Sequence, residues 1–404
     1  MSTPFRIGIL RETRQPPDLR VPFSPEQCRR IMQELPFAEV IVQPSPFRSY
    51  SDMEYIREGI RLSEDLTPCD IILGIKEVDP GALLENKCYL FFAHVGKKQA
   101  HNRQLLQAML QKKITLIDYE YLTDERKNRV VAFGRWAGIV GAYNALRGWG
   151  LRKRLYELKP AWQCYDYAQL LEQLAGLDAG PLRILLTGEG RVASGVAEIL
   201  SSIKVRKVRP EEFNDPSMRG TVFSQLGPQH YTRHIDGKSF DFNEFIQNPT
   251  FFRSAMDKYL PFADMLITGH FWDPRSPVFF NAKDVASAGF RLSFVADISC
   301  DIGGPVPVTL RASTISSPFY DVDRFTLTEK EAFSNPSHIS VMAVDNLPAE
   351  LSRDASRDFG DALLEKVIGG FLNHSNAMIE RATIVKDGAL TPGFSYLADF
   401  AAGR

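Results

Sequence analysis

Cysteine is scarce in this chain. Five cysteines (Cys28, Cys69, Cys88, Cys164, Cys300) are scattered over 404 residues, odd in number and without a CxxC pair. That excludes a disulfide framework and a cysteine-based zinc site, and it suits a reducing compartment. Surplus charge is also missing: the formal net charge is -1, so nothing argues for nucleic acid or a charged membrane surface as partner. There is no apolar run of ~18 residues that could cross a bilayer. Internal repeats and low-complexity linkers are absent too. The opening Met1-Ser2-Thr3-Pro4-Phe5 lacks the basic stretch and apolar core of a secretory leader. The expectation is a soluble, cytoplasmic chain without a resident metal, long enough for two domains and a sizeable core.

What is present is a repeated pattern in the first 120 residues. Phe5-Arg6-Ile7-Gly8-Ile9-Leu10 runs into Arg11-Glu12, and Ile71-Ile72-Leu73-Gly74-Ile75 into Lys76-Glu77. Leu90-Phe91-Phe92-Ala93 runs into His94, and Ile114-Thr115-Leu116-Ile117 into Asp118-Tyr119-Glu120. Short apolar runs separated by helix-like stretches read as buried parallel strands. The carboxyl ends of such strands line the ligand crevice. Arg11, Lys76, His94 and Glu120 are therefore expected to gather in one cleft, an acid-base set with positive charge to spare for an anionic substrate.

Between these runs, Ser24-Pro25-Glu26-Gln27 opens a helix, with Ser24 as cap, Pro25 at the first helical position and Gln27 completing a capping box. Leu105, Leu106, Met109 and Leu110 mark the apolar face of another. A glycine-rich helix begins in Phe133–Ala142, and Arg152–Gly180 reads as helical and polar. Near the end, Phe359, Leu363, Leu364, Val367, Ile368, Phe371 and Leu372 give Ser352–Asn373 the wide apolar face of one long helix.

A second α/β unit starts at Leu182. The strand Arg183-Ile184-Leu185-Leu186-Thr187 leads into Gly188-Glu189-Gly190-Arg191-Val192-Ala193 and a helix. This is G-x-G-x-x-A in strand-turn-helix context, the dinucleotide signature. Gly188 permits the tight turn, and Gly190 lets backbone approach a pyrophosphate beside the N–H groups of the helix start. About 20 residues on, where an acid would hold a ribose hydroxyl, the chain reads Val205-Arg206-Lys207-Val208-Arg209. Basic residues there lean toward NADP(H), with Arg209 on the 2′-phosphate.

Several stretches resemble the lysine-forming saccharopine dehydrogenases and the lysine-ketoglutarate reductase part of bifunctional aminoadipic semialdehyde synthase. They are Phe92-Ala93-His94, Leu116-Ile117-Asp118-Tyr119-Glu120, Val130–Gly138, Ala296-Asp297-Ile298-Ser299-Cys300-Asp301 and Val344-Asp345-Asn346-Leu347-Pro348-Ala349. More distantly the chain is similar to alanine dehydrogenase and the nucleotide-binding subunit of transhydrogenase. The resemblance implies an α/β fold of two Rossmann-like domains with parallel sheets and an active-site cleft between them. Residues 1–140 with 340–404 would form the substrate domain, and 141–339 the dinucleotide domain. It implies that lysine and 2-oxoglutarate are joined through an imine, that NAD(P)H reduces it to saccharopine, and that the saccharopine-cleaving domain is absent. Lys76 and His94 match the family's acid-base pair. Arg20, Lys97 and Gln99 match substrate contacts, and Glu77 and Glu120 match acids that modulate the cluster. Arg129 matches an arginine near the cofactor crevice, and Asp301 an aspartate on the nicotinamide side.

Each residue taken alone has a plainer reading. Lys76 could be an exposed strand-end charge, Arg20 and Glu120 surface ion-pair formers, and Asp301 a cap on the Gly303-Gly304 turn. An alanine- or opine-type dehydrogenase would keep the cofactor site and the Lys76/His94 pair but change the pocket. A nucleotide-binding regulatory subunit would keep only the glycine turn. The expected partners are small molecules, with the chain a monomer or small homo-oligomer.

Overall fold

The computed structural model describes residues 4–14, 17–372 and 376–404. The chain forms two compact α/β units, Met1–Phe133 with Ser352–Arg404, and Gly134–Leu351. Each is built on a mostly parallel eight-stranded sheet. Among the described residues, no helix is long and apolar enough to cross a membrane.

In the first unit, strands β1 (Phe5–Ile9), β2 (Ala38–Val42), β3 (Arg61–Leu62), β4 (Ile71–Leu73), β5 (Cys88–Phe91) and β6 (Thr115–Asp118) pair in parallel in the order β6-β5-β4-β1-β2-β3. Strand Thr383–Lys386 joins the β6 edge antiparallel, followed by Ala389–Leu390. The central strands are apolar because helices cover both faces of such a sheet. Helix α1 (Pro25–Glu34) starts as its sequence dictates: Ser24 and Gln27 form a reciprocal capping box with Pro25 in the first turn.

Gln27 also holds the helix Ser352–Lys366. Its amide donates to the Arg357 carbonyl at 2.7 Å and to Asp361 Oδ1 at 2.8 Å. Gly360 allows this approach, since a Cβ there would lie 2.2 Å from Gln27 Oε1. Phe359 of the same helix stacks on Phe133 at 4.5 Å and meets Tyr119 edge-on at 5.0 Å. The single long helix expected over Ser352–Asn373 is shorter: the α-helix ends at Lys366 and a 3₁₀ turn covers Ile368–Leu372. Gly369 and Gly370 supply the break, because glycine loses the most conformational freedom in a helix. Asn373 lies outside the described residues.

The second unit opens with helix α2 (Gly134–Lys153), buried around most of its circumference. The expected helix over 152–180 is a shorter one, Tyr167–Leu174, after a loop with a 3₁₀ turn at Ala161–Gln163. Strand β7 (Arg183–Thr187) leads through the glycine turn to the helix Arg191–Ser202. That helix packs on α2 backbone to backbone. A Cβ on Gly138 would lie 2.0 Å from the Val192 carbonyl oxygen, and one on Gly195 2.1 Å from that of Arg135.

Strands β8 (Arg206–Val208) and β9 (Val222–Leu226) follow, then a separate hairpin of β10 (Thr232–His234) and β11 (Phe252–Ser254). The sheet continues with β12 (Met265–Thr268), β13 (Phe294–Asp297), β14 (Phe319–Val322), β15 (Glu329–Lys330) and β16 (Ile339–Met342). Its order is β15-β14-β16-β13-β12-β7-β9-β8. The strand beside β7 is thus β9, not β8, the next strand in sequence. β9 pairs with β7 along its whole length, from Val222 opposite Arg183 to Leu226 opposite Thr187.

Candidate active site

In the first unit, parallel pairing puts the carboxyl ends of β4, β5 and β6 side by side. Their polar residues meet there. Glu77 Oε1 lies 2.5 Å from His94 Nδ1, and Arg14 stands 3.8 Å from the other Glu77 oxygen. Glu77 Oε2 is buried, with no hydrogen-bond partner among the described residues. Burial alone would raise the Glu77 pKa, but the hydrogen bond to His94 and the histidine's charge outweigh it and hold it low. His94 sits in the left-handed region at φ 53°, uncommon for a residue with a side chain and a recurrent feature of functional sites.

Lys76 is half-buried. Desolvation first, and then the charge of Arg20, holds its amine below the ordinary lysine pKa; Asp18 and Glu77 partly offset this. Arg20 is buried with Asp18, which takes its Nε at 2.9 Å and a terminal nitrogen at 2.6 Å, and it lies 4.2 Å over the Phe133 ring. Glu120 gathers two more cations, Arg129 at 2.5 Å and Lys97 at 3.4 Å. Gln99 lies exposed just beyond, where it starts the 3₁₀ turn Ala100–Asn102. A cavity of about 280 Å³ adjoins Glu77, lined also by Arg14, His101, Asn102 and Gln104.

Arg11 does not join this cluster. Its guanidinium turns to the Pro44 carbonyl at 2.9 Å and to Glu64 at 3.2 Å. Glu12 takes the place expected of Arg11, because successive side chains of an extended chain point to opposite sides. Its carboxylate accepts the backbone N–H of Ile75 at 2.6 Å and of Lys76 at 2.9 Å. Desolvation, only partly opposed by those two donors, pushes its pKa up to about 8. Gly74 leaves room for the contact, since a Cβ there would stand 3.3 Å from Glu12 Oε1. Asp118 is a second such residue. Buried at the end of β6, it accepts from the N–H of Ala93 at 3.1 Å and of Glu120 at 2.8 Å, tying the ends of β5 and β6 together. Its one legible signal is its place as the last residue of an apolar run.

The second unit carries the glycine turn. Gly188 has φ 96°, and a Cβ there would lie 2.5 Å from the Gly269 carbonyl oxygen, so only glycine fits. A Cβ on Gly190 would meet nothing within 4 Å, and no side chain caps the helix that starts at Arg191. The first-turn N–H groups and the open face above Gly190 fit the pyrophosphate of a dinucleotide. Val192 and Ala193 continue that first turn.

His270 sits beneath the turn, its Nδ1 2.8 Å from Thr187 Oγ1 and its Nε2 buried with no hydrogen-bond partner among the described residues. Burial pushes its pKa down to about 4, so the ring is neutral. Asp301 follows the end of β13, and desolvation with the nearby Asp297 pushes it up to about 6. Arg209 is set apart: β9 lies between its strand and β7, and its side chain is bound to Glu212 at 2.7 Å. The lean toward NADP(H) assumed that β8 adjoins β7, and the strand order removes that ground.

Comparison with known proteins places these features in context. Residues 8–140 match the family model "Alanine dehydrogenase/PNT, N-terminal domain". The chain is 30% identical to an alpha-aminoadipic semialdehyde synthase of Arabidopsis thaliana, over 97% of this chain and 41% of the relative. It is 30% identical to the mitochondrial protein of that name from Mus musculus, over 97% and 47%. It thus spans less than half the length of these relatives. A saccharopine dehydrogenase [NAD(+), L-lysine-forming] of Yarrowia lipolytica is 26% identical over 91% of this chain and 93% of its own. Among solved structures, an L-alanine dehydrogenase superposes with TM-score 0.66 at 15% identity, covering 98% of this chain and 100% of its own. The transhydrogenase of Sinorhizobium meliloti gives 0.60 at 14%, covering 96% and 100%. At these identities the two structures establish the fold alone.

Proposed function

We propose, from its 30% identity to aminoadipic semialdehyde synthases and its likeness to lysine-forming saccharopine dehydrogenases, that the chain is a member of their family, a nicotinamide-dependent oxidoreductase interconverting L-lysine, 2-oxoglutarate and NAD(P)H with saccharopine and NAD(P)+. One observation carries this reading: at the ends of two adjacent strands Glu77 grips His94 at 2.5 Å, and Lys76, its chain neighbour, has an amine that desolvation holds below the ordinary lysine pKa.

Joining an amine to a ketone requires a base for the attacking ammonium and an acid for the departing hydroxyl. With its Nδ1 proton directed to Glu77, His94 has Nε2 left to exchange a proton with the substrate amine. The buried Glu77 Oε2 is an acceptor for the same ammonium before it loses its proton. Lys76, whose neutral form is favoured by desolvation, moves protons at the carbinolamine oxygen as water leaves. A nicotinamide dinucleotide, its pyrophosphate held at Gly188, Gly190, Arg191, Val192 and Ala193 and its nicotinamide on the side of Asp301, would supply the hydride for the imine carbon.

Substrate carboxylates are assigned to the cations. Lys97, ion-paired with Glu120, and Gln99, two residues further on, are assigned to them, while Arg129 on the same Glu120 is assigned to the cofactor crevice. Arg20 meets a carboxylate only by sharing its fork with Asp18, which already takes two of its nitrogens. We place the protein in the cytoplasm.

The test is NAD(P)H oxidation by the purified full chain. Oxidation that requires both lysine and 2-oxoglutarate, with saccharopine identified by mass spectrometry, is the expected result. Turnover with pyruvate and ammonia instead would make the chain an alanine-type dehydrogenase. Dinucleotide binding without turnover on any amino acid and keto acid pair would make it a regulatory subunit.

A further inference from the structure

We infer that Glu189, standing over Gly227 at the carboxyl end of β9, is the residue that reads the adenosine ribose, and that the chain takes NADH in preference to NADPH. This rests on the dinucleotide-dependent reading above. In Rossmann folds the group that selects at the ribose 2′ position stands at the end of the strand beside the glycine-turn strand. Usually that neighbour is the next strand in sequence. Here it is β9, with Leu226 opposite Thr187.

β8 is one place further out and its pairing stops at Val208 opposite Ser224, short of the end of β9. Two cations at this strand are also engaged. Lys207 Nζ donates to Gln225 Oε1 at 2.8 Å, and Arg209 is bound to Glu212 at 2.7 Å.

The end of β9 reads Leu226-Gly227-Pro228-Gln229, with no cation. A Cβ on Gly227 would lie 2.5 Å from Gln229 Oε1 and 2.7 Å from the Glu189 carboxyl carbon. The space a side chain would fill is therefore taken by an acid that reaches across from the glycine turn and by an amide. Gly227 is needed for that arrangement, and its backbone N–H is held by His230 Nδ1 at 3.1 Å. Gln225, two residues before Gly227, donates to the Gly188 carbonyl at 2.9 Å and fixes the turn against β9.

A carboxylate at this place accepts from the ribose hydroxyls and repels a 2′-phosphate, which carries like charge. The loop residue Glu189 thus takes over the role that an acid at the end of the second strand plays elsewhere. Arg191, at the first position of the following helix, belongs with the pyrophosphate.

The experiment is calorimetric binding of NADH, NADPH, 5′-ADP and 2′,5′-ADP to the full chain, without amino or keto acid. The expected result is at least ~10-fold tighter binding of NADH than NADPH, or about 1.4 kcal/mol, with the same order for the ADP pair. Glu189→Gln should narrow both ratios at unchanged melting temperature, and Arg209→Glu should leave them as they are. Tighter NADPH binding, ratios indifferent to Glu189→Gln, or ratios moved by Arg209→Glu would overturn the assignment while leaving the dehydrogenase reading intact. Binding of none of the four would remove the dinucleotide site, and the inference with it.

Discussion

Glu77 Oε1 and His94 Nδ1 lie 2.5 Å apart, and the contact joins the ends of two neighbouring parallel strands into one acid-base unit. The carboxylate fixes which ring nitrogen keeps a proton and which exchanges one. Lys76, one residue before Glu77, is carried on the same strand end.

Removing either proton carrier should stop turnover without unfolding the protein. Lys76→Met and His94→Gln are each expected to slow turnover by at least ~100-fold, the usual scale for a general acid or base. Steady-state rates with lysine and 2-oxoglutarate, alongside a circular dichroism spectrum, check this. Near-normal turnover in both variants would end the mechanism.

Glu12 should act through placement. Its two oxygens hold the backbone N–H groups of Ile75 and Lys76, and an amide can accept with only one atom. Glu12→Gln is expected to lower turnover ~10-fold, roughly the worth of one such hydrogen bond. The Michaelis constants should stay nearly unchanged, because no substrate contact is lost. A rise in the lysine constant with unchanged turnover would instead put Glu12 in the binding pocket.

Two glycines of the dinucleotide turn should respond differently. At Gly188 an alanine must adopt φ 96° and meet the Gly269 carbonyl; the left-handed backbone alone costs roughly 1–2 kcal/mol. Gly188→Ala should therefore lower the melting temperature. Gly190→Ala meets nothing within 4 Å and should melt like the parent, yet bind dinucleotide more weakly. Differential scanning fluorimetry with and without NADH separates the two, and equal melting temperatures for both variants would contradict the geometry.

Glu350 gives a stability test with a definite sign. It is buried, accepts from Asn144 Nδ2 at 2.8 Å, and burial pushes its pKa from 4.5 up to about 8. The folded chain therefore keeps a proton that the unfolded chain releases near pH 4.5. Its stabilising effect is complete below the unfolded value and is lost as pH rises toward about 8. Glu350→Gln keeps the acceptor and removes the ionisation. It should be neutral at pH 5 and stabilising by about 1–3 kcal/mol at pH 8. Melting curves across that range decide it, and a variant equally destabilised at both ends would refute it.

The sequence made parts of this legible for physical reasons. Strands buried on both faces must be apolar, so β1, β4, β5 and β6 stand out, and their polar ends follow. Ser24 and Gln27 announce α1 because orphan N–H groups need those side chains. Side-chain direction was not legible: Arg11 and Glu12 are neighbours, and only the sheet shows which of them faces β4. Strand order was not legible either. Nothing within Val205–Arg209 reveals that β9, sixteen residues further on from Arg206 to Val222, slips between that strand and β7. The end of the helix at Lys366 turned on Gly369 and Gly370, whose weak helix preference the surrounding apolar periodicity concealed.

The contact of Gly138 and Gly195 with each other's helix backbones has a thermodynamic corollary. Two helices touching main chain to main chain move as one slab, and the turn Gly188–Ala193 is anchored at the edge of it. Its freedom is surrendered when the chain folds, so little remains to lose when a ligand arrives. Association with a dinucleotide should then carry a small entropic penalty, and enlarging either glycine, which forces the two backbones apart, should lower the melting temperature and make the binding entropy less favourable.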